Sequence, residues 1–364
     1  MQTQTLFVNS KDIATARLIT QQIAESKFKK VKDLVGWMGA MQAQDFIMAK
    51  WAVGIRVPGA TDKMVQAAVD KGDIIRTHIL RPTWHFVSAD DIHWMLALSG
   101  PGLKSSMKGR DKRLGLTEAD FKKSNKIIEK ALSGGKHLTR DVLLAKLEKA
   151  KIDTRDFRSL HIMMRAELDG LVCSGVTNEK RQTYALLDER VPKKKLLKKD
   201  EALAKLAKRY FTAHCPATLQ DFMWWSGLNA GDSKLALQII KKDLIGKTVG
   251  LGTYWCDKTF SFPQTKPAVY LLPAYDEYLI SYKDRSASLQ PQHRATALTG
   301  NGIFYPVVVA NGQVVGLWKR TAGKTGIDLR FNFFSPLNKQ QSMALHKEVQ
   351  RFEAFTGETC NICE

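Results

Sequence analysis

Apolar residues recur at three- and four-residue steps through most of the chain, interrupted by short β-branched or alternating runs. The first helical pattern starts at Ser10, which reads as a cap for Ile13, Ala16 and beyond. A second predicts a helix rich in small and apolar residues from Met38 through Phe46 to Ala52, broken by Pro58 and Gly59. Gln42 and Gln44 interrupt its middle. Residues two apart on a helix lie about 200° apart around the axis, so at least one of these amides is expected to face protein. A buried amide needs partners or costs a few kcal/mol. Either it is satisfied at a helix boundary, or it faces a cleft and bonds a ligand or a water. Thr61 then caps a helix to about Val69, and Gly72 stops it.

Ile74–Leu80 reads as a strand by its β-branched content, bent or ended at Pro82, and Trp84–Val87 alternates as a second strand. Ser88–Asp91 caps a helix over Ile92–Leu98. Pro101–Arg113 is basic and Gly-rich, a loop that is either simply solvated or in contact with phosphate through Lys104, Lys108, Arg110, Lys112 and Arg113. Residues 117–190 repeat the plan: a helix capped by Thr117, another opened by Thr139, a third over Phe157–Asp169, then a ribbon tipped by Asn178–Arg181. A basic linker, Val191–Lys195, precedes a third pass: a Lys199–Thr212 helix, a Thr218-capped helix ended by Gly227, a Ser233–Asp243 helix, and strands over Val249–Trp255 and Thr259–Phe262. The remainder is β-rich, with a hairpin turning at Asn311–Gly312, a strand over Ile327–Phe334 and a closing helix over Pro336–Phe355. The expected architecture is α+β: three tandem winged helix-turn-helix units over 1–116, 117–192 and 193–262, followed by a small β-rich C-terminal domain over 263–364. Such units read duplex DNA with a helix and a wing.

The charge supports that partner. Lys and Arg number 56 against 36 Asp and Glu, a net charge of +20, which favours polyanions, nucleic acid before an anionic membrane surface. No apolar run is long enough to span a membrane, and Met1–Val8 lacks the pattern of a secretory signal. Five scattered cysteines point to a reducing, cytoplasmic setting, with nucleoid association and a monomeric state expected. Cys360 and Cys363 have CxxC spacing but read as a frayed tail. His78, His85 and His93 lack the acids or thiols of a metal site, so neither metal nor other cofactor is expected. Trp37, Trp51, Trp224 and Trp225 read as core.

Met41–Gln44, Arg76–Val87, Leu271–Asp276 with Asp284–Arg285, and Gly302–Val307 with Gly316–Trp318 follow in an order that resembles the AlkZ-like DNA glycosylase family over nearly the whole chain. The resemblance implies excision of bulky alkylated purines and unhooking of some interstrand crosslinks. It places the family's catalytic motif, Gln, an apolar residue, then Gln or Asp, on Gln42, Ala43 and Gln44. The Gln form is linked to crosslinks and bulky lesions. The family's arginine-glycine after the first strand is Arg81–Pro82 here, a departure. Asp276 and Arg285 occupy family positions and read as fold-holding, while Asp45 is an accessory candidate that could instead cap a turn. His78, Arg81, Trp84, His85 and the ribbon-tip Arg181 are candidate contacts for the lesion or the DNA.

The chemistry accommodates two amides. A purine alkylated at N7 or N3 is cationic and already a good leaving group, so the barrier lies in an oxocarbenium-like sugar and in placing water at C1′. A fixed carboxamide can orient that water and lend its dipole to the developing charge. An unmodified base would need an acid, an effect worth about 10²–10⁴-fold. The competing expectation is a non-catalytic winged-helix regulator, since fold does not imply function.

Overall fold

The structure is a computed structural model, and it describes residues 9–179, 181–261 and 267–363. Thirteen strands are described: β1 Ala40–Gln42, β2 Ile74–Ile79, β3 Arg81–Ser88, β4 Leu138–Thr139, β5 Val172–Ser174, β6 Thr183–Leu186, β7 Leu244–Val249, β8 Gly252–Asp257, β9 Val269–Leu272, β10 Val307–Ala310, β11 Gln313–Ala322, β12 Ile327–Phe333 and β13 Cys360–Cys363. They form sheets ordered β1-β3-β2, β4-β6-β5, β7-β8 and β13-β12-β11-β10-β9, antiparallel except for β12 with β13. Helices fill the intervals, so the fold class is mixed α+β.

Local signals account for many boundaries. The Thr61, Thr117 and Thr218 side chains each accept a backbone N–H in the first turn of a helix, and Gly72 and Gly227 close helices in the left-handed region. Asn311 and Gly312, both with positive φ, turn β10 into β11 as the sequence indicates. Asn9, not Ser10, caps the first helix.

The glutamine segment departs from expectation. Helix Val31–Met38 ends at Gly39, whose φ of 80° suits a residue without Cβ; an added Cβ would lie 3.0 Å from the Arg209 side chain. Residues Ala40–Gln42 then pair with Val87–His85 of β3, and a new helix, Phe46–Gly54, starts only at Asp45. Ala40, Met41, Gln42 and Ala43 are all buried, so no polar alternation marks this strand against a helical turn.

Pro101–Arg113 is not a loop but the second half of helix Ile92–Arg113. Its Leu103 and Met107 bury against Met164 and Leu168, and Gly100 brings the helix against the Leu168 carbonyl, where a Cβ would sit 3.1 Å away. This packing outweighs the local signals of Gly and Pro. The expected strand Val249–Trp255 straddles the turn between β7 and β8, and the end of Thr259–Phe262 lies outside the described residues, as do Met1–Val8 and Lys180 of the ribbon tip. The CxxC segment is an ordered edge strand on β12 rather than a frayed tail.

One core joins the first seventy residues to the C-terminal sheet. Trp51 stands at its centre, 5.0 and 5.1 Å from the Phe352 and Phe355 rings, and donates from Nε1 to the Leu271 carbonyl at 2.7 Å. The glutamine turn is thereby fixed against the far end of the chain. A second core forms around Tyr210, Phe222 and Trp225, and a third around Phe121, Ile128 and Leu147.

Glu348, on helix Lys339–Thr356, is buried in the first core's margin, 3.7 Å from Arg351. Burial pushes its pKa up from the ordinary 4.5 to about 7, only partly opposed by Arg351. Between those values the fold holds a proton that the unfolded chain has lost, so stability falls as pH rises through the window. Glu348→Gln is therefore expected to flatten the drop in unfolding midpoint between about pH 5 and about pH 8, removing up to about 3 kcal/mol of pH dependence in denaturant titrations.

Candidate active site

Gln42 closes β1 and is 5% exposed. Its backbone N–H donates to Glu277 Oε1 at 2.6 Å, and its side-chain Oε1 accepts from Arg81 Nη2 at 3.1 Å. Both the backbone and the carboxamide are thus held by charged groups. Gln42 and Arg81 line an open cleft of about 880 Å³ with Pro82, Thr83, Trp224, Arg285, Arg294 and Phe304 among its walls. Ala43 donates to the Trp84 carbonyl at 2.7 Å, carrying the extended path one residue past the strand. Gln44 then falls on a bend past that path, and it is not among the residues that line this cleft.

Gln44 is exposed. Arg76 holds the turn that carries it, donating from Nε to the Ala43 carbonyl at 2.9 Å and from Nη2 to the Gln44 carbonyl at 3.4 Å. Asp45, the accessory candidate, accepts the Met48 N–H at 3.1 Å as a helix cap, the structural alternative the sequence also allowed.

Beneath Gln42, Glu277 is fully enclosed. Its pKa is raised by burial, against the pull of Arg81 and of the hydrogen bonds from Ser281 and the Gln42 amide. His214 Nε2 lies 3.9 Å from Glu277 Oε2, but burial and Arg56 push the imidazole down to about 3, so it stands neutral and forms no ion pair. Burial lowers Arg81 as well, with Glu277 opposing.

His78 and His85 do not reach the surface. His78 Nδ1 meets Glu167 Oε2 at 2.6 Å, and its backbone N–H reaches the same oxygen at 2.7 Å. Trp84 donates to the other Glu167 oxygen at 3.4 Å, lies 4.5 Å from the His78 ring and carries Arg76 4.3 Å over its face. Burial opposes charge on Glu167, yet His78 outweighs it and the pKa is lowered. His85 is held neutral by burial and by Arg81, with Nδ1 bonded to the Thr83 carbonyl at 2.9 Å. The expected direct contact of these two histidines with DNA gives way to support: they stiffen the ribbon that carries Arg81 and Trp84.

The basic candidates lie apart from the cleft walls. Lys104 pairs with Asp169 at 2.8 Å, and Lys108, Arg110, Lys112 and Arg113 are exposed along helix Ile92–Arg113. Arg181 is exposed at the β5–β6 tip. Of the groups around the cleft, Trp224 was expected in the core but is a partly exposed wall, Arg285 was expected to hold the fold and also lines the cleft, and Glu277, enclosed behind Gln42, and Arg294, on the wall, were not singled out by the sequence. The signal for Glu277 was a carboxylate directly before the apolar run Tyr278–Ile280; for Arg294 there was none. Among the described residues no group of three or more His, Cys, Asp or Glu is placed to hold a metal ion, and no helix is long and apolar enough to cross a membrane.

Comparison with known proteins bears on the whole arrangement. A family model described as DNA glycosylase AlkZ-like matches residues 35–355. The chain is 26% identical over 314 residues to an interstrand DNA cross-link repair glycosylase of Streptomyces sahachiroi, covering 79% of this chain and 81% of the relative. The solved structure of Streptomyces sahachiroi DNA glycosylase AlkZ superposes with a TM-score of 0.80 at 20% identity, covering 98% of this chain and all of that one, and so shares the fold. With a match extending over most of its length, the chain belongs to the AlkZ-like family of DNA glycosylases, hydrolases of N-glycosyl bonds.

Proposed function

We propose that this glycosylase is monofunctional and hydrolyses the N-glycosidic bond of cationic N7- or N3-alkylated purines in duplex DNA, crosslinked purines included. The observation that carries the reading is the Gln42 carboxamide, bound by Arg81 at the wall of an open cleft with its own backbone tied to buried Glu277. A carbonyl oxygen has two lone pairs. Arg81 takes one and fixes the rotamer, which leaves the other to accept from a water. Gln44, exposed on the adjoining turn, supplies the second carboxamide. Together they place a water at C1′ and stabilise the oxocarbenium-like sugar by preorganised dipoles, without removing a proton beforehand. The relative named for crosslink repair supports the inclusion of bulky substrates. A non-catalytic regulator has no support left once the chain is placed in a glycosylase family.

The same reading takes 1–116, 117–192 and 193–262 as winged-helix units. In favour, the ribbons β2–β3, β5–β6 and β7–β8 each follow a group of helices. The exposed cations Lys108, Arg110, Lys112, Arg113 and Arg181, with Lys104, then serve the DNA backbone outside the cleft.

Duplex DNA with a single N7-methylguanine provides the test. The protein is expected to release free N7-methylguanine and leave an alkali-labile abasic site, seen on a denaturing gel, with chelator present throughout. Retention of the base would overturn the proposal. Gln42→Ala and Gln44→Ala should each lower the single-turnover rate by about 10²-fold or more while DNA affinity stays within a few-fold. A Gln44→Ala protein that cuts at the parental rate would remove that residue from the mechanism.

A further inference from the structure

The cleft beside Gln42 holds positive charge that the hydrolytic step does not use. Arg285 is 9% exposed and lines the cleft between Trp224 and Phe304, its guanidinium 5.3 and 4.9 Å from their ring centroids. Two of its nitrogens are spent on carbonyls: Nε on Leu279 at 2.9 Å and Nη1 on Lys283 at 3.3 Å. Nη2 has no hydrogen-bond partner among the described residues. A buried guanidinium donor without a partner is costly.

Among the described residues no carboxylate pairs with Arg285 at ion-pair distance. Asp221 is already engaged by Arg17 at 3.7 Å and by the backbone N–H groups of Lys283 and Asp284 at 2.8 and 3.2 Å. Two more guanidiniums share the walls, Arg81 from the first ribbon and the exposed Arg294. Burial first, then repulsion from Arg294 and Arg81, lowers the Arg285 pKa to about 10, with Asp221 and Asp284 partly opposing. Like charges gathered in one cleft, one of them rigidly oriented with a spare donor, call for an anion with several acceptor oxygens. A phosphodiester has that geometry and charge.

We propose that Arg285 and Arg294 form a phosphate subsite for one phosphodiester of the lesion-bearing strand, anchoring the nucleotide whose C1′ faces Gln42. The carbonyls of Leu279 and Lys283 and the two aromatic rings fix Arg285, so phosphate binding need not order that side chain further. Arg294 closes on the same group from the solvent side. This rests on the glycosylase reading above only for the identity of the bound strand.

Methylphosphonate substitution tests it. Duplexes carrying one N7-methylguanine receive one neutral methylphosphonate at a time, at each linkage near the lesion on either strand. Single-turnover rates at subsaturating enzyme and equilibrium binding are measured for the parent, Arg294→Gln and Arg285→Lys proteins. One linkage in the lesion strand is expected to cost the parent about 10- to 100-fold, well beyond its neighbours. Arg294→Gln should lose a comparable factor on all-phosphate DNA and lose little more when that linkage is neutral. Since Arg294 is exposed, its variant is expected to fold even if the one at buried Arg285 does not. Equal losses at every linkage, a sensitive linkage only in the opposite strand, or full additivity of the two changes would overturn the subsite. If the all-phosphate control releases no base, the glycosylase reading falls, while the binding measurements still decide whether the subsite exists.

Discussion

Two adjacent carboxylates pull in opposite directions and hold the two ends of the chain together. Asp276 takes Arg56 in a bidentate pair at 2.7 and 2.8 Å, fully enclosed, and Arg56 spends its remaining donors on Gln21 and on the Ala52 carbonyl. Glu277 faces the other way and takes the backbone N–H of Gln42. Removing one partner of such a buried pair leaves a stranded charge, at about 3–5 kcal/mol. The glutamine turn is therefore positioned by a segment more than two hundred residues away in sequence, and the cleft exists only because that closure is made.

The electrostatics follow from that closure. Arg81 stands between Gln42 and Glu277, and its charge, with burial, keeps His85 neutral. Arg56 does the same for His214. The cleft region thus combines fixed cations and neutral imidazoles. Such a field suits the phosphates of a polyanionic strand.

The middle of the chain supports the site chiefly through one buried carboxylate. Glu167, from helix Arg158–Leu168, gathers the His78 ring, the His78 backbone and the Trp84 indole. Trp84 in turn supports Arg76, which grips the carbonyls of Ala43 and Gln44. Three separate stretches of sequence therefore converge on one short turn, which gives the proposed catalytic amides a rigid frame. Catalytic groups gain from such support because small displacements at the reacting atoms are expensive.

Family membership was legible in the order of motifs along the chain, and the first two ribbons and the Thr61, Thr117 and Thr218 caps were legible because each rests on contacts within a few residues. Thr61 with Met64 and Asn311 with Gly312 are examples. The motif Gln42–Ala43–Gln44 could be recognised, yet its conformation could not. A run of small buried residues carries no periodicity that separates strand from helix, and the deciding partners were β3 and Glu277. Pro101 and Gly102 suggested a loop, and only the packing of Leu103 and Met107 on a distant helix made them helical. His78 was misplaced for the same reason: whether a polar side chain meets solvent or a buried carboxylate is set by what the rest of the chain lays over it. The residue types and their local turns were written in the sequence, but burial, charge pairing and the shape of the cleft were decided by contacts that only the closed fold creates.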